Sequence, residues 1–160
     1  MKRVLILLIA IIISNSIYSQ EKHHDHNHKH SSIELGFGFG LAPIANEGSP
    51  LSTHLHLLKS FDAIKGFQFG IGMERLFDDH KHTSVGFMVS YNLLSGLYVG
   101  ISPGILFTKH SSEWENRFAM HFELHYEVEW YGIHIGPLFE YAYSNEDKHY
   151  MIGVHLGIGL

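Results

Sequence analysis

The sequence of 160 residues has no cysteine and only four prolines. Without cysteine it can build no disulfide framework, no thiolate metal site and no lipid anchor on an N-terminal cysteine. Long hydrophobic runs are missing too. The unbroken apolar stretch Val4 to Ile13 falls well short of the roughly 20 residues that a membrane-spanning helix needs. Positive charge is scarce: 11 Lys and Arg stand against 16 Asp and Glu, a formal net charge of −5 with histidine neutral. Residues 20–160 alone are more acidic still, because only Lys2 and Arg3 are lost with the segment before them. An acidic chain is not expected to bind nucleic acid. Helical periodicity is absent after the first segment.

What is present falls into three parts. Lys2 and Arg3 precede the short apolar run, and Ser14, Asn15, Ser16 and Ser19 follow it. A basic start, a short apolar centre and a small-residue zone read as a secretory signal peptide over residues 1–19. Residues 20–32, QEKHHDHNHKHSS, carry His23, His24, His26, His28 and His30 and nothing that can form a core. They are expected to be a disordered arm. Residues 33–160 are expected to be one domain.

That domain is organised around WENRFAMHFELHYEVEW followed by YGIHIGPLFEYAY. Phe118, Met120, Phe122, Leu124, Tyr126 and Val128 alternate with Arg117, His121, Glu123, His125, Glu127 and Glu129. Side chains of a strand point alternately to opposite faces, so the stretch predicts an antiparallel hairpin with one apolar and one His/Glu face. A turn at Trp130-Tyr131 sets His121 against Glu140 and Glu127 against His134. A turn at Tyr131-Gly132, which its glycine favours, sets Glu129 against His134 and Glu123 against Glu140. The same alternation recurs in Ile33–Ala42, Leu51–Leu58, Phe67–Glu74, Ser84–Leu94, Leu97–Thr108 and Tyr150–Leu160, about eight strands in all. Pro103 and Pro137 lie inside these patterns and predict local bulges. Long connections are expected at 43–50, 77–83, 109–115 and 144–149. Shorter ones are expected at 59–66, Ser95-Gly96 and Trp130–Gly132.

Two barrels fit such a pattern. A soluble lipocalin-like carrier buries the apolar face, and a membrane barrel turns it outward. Three features favour the membrane form. The apolar face is bulky and free of charge except near strand ends, at Arg75 and Lys109. The opposite face is rich in glycine, which suits a narrow interior. Aromatic residues gather near strand ends: Phe61, Phe77, Tyr91, Trp114, Trp130, Tyr131, Tyr143 and Tyr150. From Ile33 onward the pattern resembles the small eight-stranded outer-membrane barrels of Gram-negative bacteria, the OmpX-like and OmpA-barrel type, although the chain ends on Leu160 where many of these proteins end on an aromatic. The resemblance implies an all-β, antiparallel up-and-down transmembrane barrel in the outer membrane, assembled from the periplasm. The function it implies varies from member to member.

Chemistry is expected in two places. The clustered imidazoles His23, His24, His26, His28 and His30 suit borderline divalent cations such as Zn²⁺, Ni²⁺ or Cu²⁺. The inner face offers His121, Glu123, His125, His134, Glu140 and His155 as candidate metal ligands, alongside His54, His56, Glu34, Glu74, Glu127 and Glu129. His125 and His155 are expected at similar depth. Equally, His–Glu pairs there serve simply to neutralise one another in a filled interior. No cofactor is required by the pattern, and outer-membrane lipid is the expected partner of a monomer. Ser111 and Ser112 beside His110, and Ser52 near His54, form no recognisable nucleophile motif. A lipid-modifying enzyme is therefore not the expectation. Eight strands leave no room for a diffusion pore.

Overall fold

A computed structural model describes residues 33–44, 48–110, 113–145 and 147–160. The proposed signal peptide and the arm with His23, His24, His26, His28 and His30 lie outside the described residues.

The described residues form strands β1 (Ile33–Leu41), β2 (Leu51–Ser60), β3 (Phe67–Leu76), β4 (Thr83–Leu94) and β5 (Leu97–His110). They continue as β6 (Glu113–Tyr126), β7 (Val128–Trp130), β8 (Ile133–Ser144) and β9 (Lys148–Gly159). From β1 to β6 each strand pairs antiparallel with the next, β8 pairs with β9, and β1 pairs with β9. β6 and β7 both pair with β8 as one interrupted strand, so the sheet closes into an eight-stranded barrel. Closure leaves no unpaired edge.

The hairpin uses the Tyr131-Gly132 turn. Glu129 stands opposite His134 and Glu123 opposite Glu140. Tyr131 and Gly132 both have positive φ, 51° and 78°, the pair of values that a type I′ turn requires. Both prolines interrupt a ladder. Phe87 and Met88 of β4 have no register partner across from Pro103, and Tyr126 and Glu127 have none across from Pro137. Each proline lacks the N–H that the ladder needs. At the second break the Glu127 N–H donates instead to the Gly96 carbonyl at 2.6 Å.

The sequence reading needs correcting at the loops. β5 runs on to His110 and β6 starts at Glu113, so the loop expected at 109–115 is mostly strand. His149, expected in a loop, lies in β9 and is buried. The connection 61–66 is as long as 77–82, so long and short connections do not alternate cleanly. Glu129, expected inside, is exposed beside the turn.

The orientation is apolar outward. Leu35, Phe37, Phe39, Leu55, Leu57, Ile71, Phe87, Ile101, Phe122 and Ile152 are among many large apolar residues exposed on the wall. Glutamate, histidine and serine are buried inside. A lipocalin-like barrel would show the reverse, and a belt of this size in water would be a severe aggregation hazard. All eight of the aromatic residues expected as a girdle are exposed. Part of the interior is apolar: Ala42, Leu76, Leu138 and Met151 form a buried cluster.

Candidate metal centre in the barrel lumen

The strand period of two places every second residue of the wall inside. Barrel closure then decides which of these meet. The end carrying the connections at 42–50, 77–82 and 145–147 is here the loop end. The end with Ser95-Gly96, Tyr131-Gly132, Ile33 and Leu160 is the turn end.

At the loop end, His82 Nδ1 contacts the Asp78 carboxylate, and its Nε2 is 3.7 Å from Asp147 Oδ2. His149 lies between Asp147, 3.1 Å from Nδ1, and Glu74, 3.3 Å from Nε2. The hydrogen bond from His149 holds the Asp147 carboxyl below the usual carboxylate range. The Ser52 hydroxyl donates to Glu74 at 2.9 Å. A void of about 10 Å³ beside His121, Ser144 and Asp147 has room for no more than one water.

At mid-height His121 Nδ1 donates to Glu140 Oε1 at 2.6 Å. Glu140 Oε2 is 3.2 Å from His54 Nδ1, which also lies 2.9 Å from Glu123 Oε2. Glu123 Oε1 accepts from His125 Nδ1 at 2.7 Å. Imidazole and carboxylate therefore alternate without a gap from the loops to the middle of the barrel.

Toward the turn end the pattern changes. Glu127 Oε1 is 3.1 Å from both His125 Nε2 and His155 Nδ1. Its other oxygen is 3.4 Å from His134 Nδ1. Glu34 lies 3.7 Å from His56 and accepts from the Gln68 amide at 3.3 Å. The rings stack: Tyr98 on His125 at 5.0 Å, His125 near His155 at 4.5 Å, and His155 on His56 at 5.1 Å between centroids. Gly36 and Gly157 clear the space for them. A Cβ on Gly36 would overlap the His56 imidazole, and one on Gly157 would press on Glu34 at 3.1 Å and His155 at 3.2 Å.

Among the described residues, five glutamates and seven histidines are buried, and no lysine or arginine is. Five groups of three bring their ligand atoms within 4.8 Å of one another: Glu34/His56/His155, His54/His56/Glu123, His125/Glu127/His155, Glu34/Glu127/His134 and Glu74/His121/Glu140.

No family model and no curated protein matches the chain. Among solved structures, the crystal structure of Neisserial surface protein A is similar at a TM-score of 0.55 and 10% identity, covering 80% of this chain and 96% of that one. The solution structure of the de novo designed TMB2.3 is similar at 0.51 and 11%, covering 81% and 94%. The fold is that of a small eight-stranded outer-membrane barrel.

Within this barrel the candidate ligands separate into groups. His121 and Glu140 belong with Glu74 at mid-height. Glu123 bridges His54 and His125. His125 and His155 meet, as expected from their depth, across Gly136 of β8, which pairs with His155. His134 is the outermost, its side chain 26% exposed at the turn end. Glu34, His56, Glu74 and Glu127 were legible as inner-face residues, but nothing in the sequence ranked them above their neighbours. Tyr98 shares their parity and stacks on His125, and no sequence signal marks it or the inward placement of His149.

Proposed function

We propose that this chain is an outer-membrane barrel protein with a non-enzymatic role at the cell surface, and that its lumen holds a divalent transition-metal ion. One observation carries the reading. The lumen buries five glutamates and compensates them with imidazoles alone, without one buried Lys or Arg among the described residues. Buried carboxylates need a partner charge. Imidazole supplies it when protonated, and otherwise serves beside carboxylate as a ligand for Zn²⁺, Ni²⁺ or Cu²⁺.

The His-rich arm, residues 23–30, is proposed as a second, weaker and less selective collector of the same ions. The outward apolar belt and its aromatic rims support location in the outer membrane. The test is fractionation of cells, extraction of the protein in detergent and metal analysis of the folded barrel, with Zn²⁺ titrated by calorimetry before and after removal of residues 23–30. Loss of the weak phase and retention of a tight one is the expected outcome. A barrel that takes up no metal with either version would refute the metal reading, and recovery of folded protein without detergent would refute the membrane location.

A further inference from the structure

The lumen offers five three-donor groups, and they are not equivalent. We infer that the metal centre is the group His125 Nε2, Glu127 Oε1 and His155 Nδ1 near the turn end, a mononuclear two-histidine, one-carboxylate site for a borderline divalent ion. This rests on the preceding reading that the lumen binds metal, and says where.

Three observations single the group out. First, its two carboxylate-to-nitrogen distances are already close to those of a loaded site. Glu127 Oε1 is 3.1 Å from each of the two ring nitrogens. Bonds of 2.0–2.1 Å arranged tetrahedrally separate neighbouring ligand atoms by roughly 3.3 Å.

Second, these atoms approach without bonding. Glu127 Oε1 and His155 Nδ1 are buried at ion-pair distance, yet neither has an aligned hydrogen bond among the described residues, and His155 Nε2 and His56 Nε2 have none either. His155 is 1% exposed. Buried polar atoms are nearly always satisfied, and orphans gathered at one point call for an explanation such as an ion. The mid-height group has this character less: His121 Nε2 lacks a hydrogen bond among the described residues, but His121 Nδ1 and Glu140 Oε1 are joined at 2.6 Å and Ser52 donates to Glu74.

Third, the group has the supporting contacts of a metal site. His125 Nδ1 donates to Glu123 at 2.7 Å, which fixes the tautomer and turns Nε2 toward Glu127. A ligating histidine commonly has its other ring nitrogen held by a carboxylate in this way. Glu34 and His56 flank His155, with ligand atoms of the three within 4.8 Å, and are in reach to supply a further ligand. Gly36 and Gly157 keep the opposite wall open. His134, partly exposed at the turn end and 3.4 Å from the second oxygen of Glu127, marks the side from which an ion arrives. Two nitrogens and one carboxylate oxygen favour Zn²⁺, Co²⁺, Ni²⁺ or Cu²⁺ over Ca²⁺ and Mg²⁺, which prefer all-oxygen shells.

The experiment uses the full mature chain with His23, His24, His26, His28 and His30 changed to Asn, folded in detergent and checked by heat-modifiable gel mobility. Co²⁺ is the probe, read by its visible absorption and displaced by Zn²⁺. One Co²⁺ per chain is expected, with the intense absorption of a low-coordinate site and no competition from Mg²⁺. Glu127→Gln and His155→Gln should each weaken binding by about 100-fold or more, and the positioning variant Glu123→Gln by about 10- to 100-fold. His121→Asn should leave it unchanged. If the parent barrel binds no Co²⁺, the lumen-metal reading itself fails. If the parent binds Co²⁺, Glu127→Gln folds and binds as before, and His121→Asn does not bind, the metal is real and this location is wrong.

Discussion

The two halves of the lumen are built from the same two side chains and satisfy them to different degrees. Toward the loops, each carboxylate meets its imidazole in an aligned contact: His121 on Glu140, His149 between Asp147 and Glu74, Ser52 capping Glu74. An apolar cluster of Ala42, Leu76, Leu138 and Met151 fills the space beside them. Toward the turns, Glu127, His125, His155 and His56 crowd together, and several of their polar atoms go without a hydrogen bond. Buried polar networks stabilise only when fully satisfied. The loop half, where His121 Nε2 and Thr108 Oγ1 lack a hydrogen bond, is the better satisfied of the two, and the turn half gathers the larger number of unsatisfied groups, of the kind that a bound ligand completes. Residue type alone does not separate structure from function here; alignment does.

The largest effect should come from breaking the satisfied half. Glu140→Leu removes the carboxylate that His54 and His121 share, leaving them only Glu123 and Glu74 in a closed interior, and should cost about 3–5 kcal/mol in urea unfolding of the barrel in lipid. A cost no larger than that of a surface substitution would mean the network is not what holds this half together. Next comes Gly36→Ala, whose added methyl displaces the His56 ring. Overpacking of this kind should cost about 1–3 kcal/mol, and metal affinity should fall with it. Ser52→Ala removes one buried hydrogen bond to Glu74, worth about 1 kcal/mol.

Glu127→Gln sharpens the comparison most. In the absence of metal it should change stability by less than about 1 kcal/mol, because the oxygen it alters makes no aligned bond to lose. Added Zn²⁺ should stabilise the parent and leave this variant where it was, as mass action requires for a ligand bound only by the folded state. A large metal-free loss in Glu127→Gln would place the turn half in the same class as the loop half.

The smallest effect is local and depends on pH. Asp147, in the β8–β9 connection, has its carboxyl held low by His149. A carboxyl whose value is lowered on folding adds stability above its unfolded value, about 3.9, and that contribution disappears as the pH falls below it. Hydrogen exchange around Ser144–His149, corrected for intrinsic rates, should accelerate below about pH 4 in the parent. Asp147→Asn should exchange at the faster rate already at neutral pH.

What the sequence determined by itself was the wall. Alternation with period two decides which residues share a face, and the choice of Phe, Leu and Ile on one face with Gly, His and Glu on the other decides which face meets hydrocarbon. Even the hairpin register was confined to two alternatives, and the glycine of Tyr131-Gly132 leaned toward the one observed. The interior was decided only by closure. The depth at which an inward side chain sits depends on the stagger of every strand around the ring, which brings His155 of β9 onto His125 of β6 and sends His121 to a different group. Pairings between residues so distant in the chain leave no trace in local periodicity. For the same reason the contrast between a better and a worse satisfied half of one lumen belongs to the tertiary structure alone.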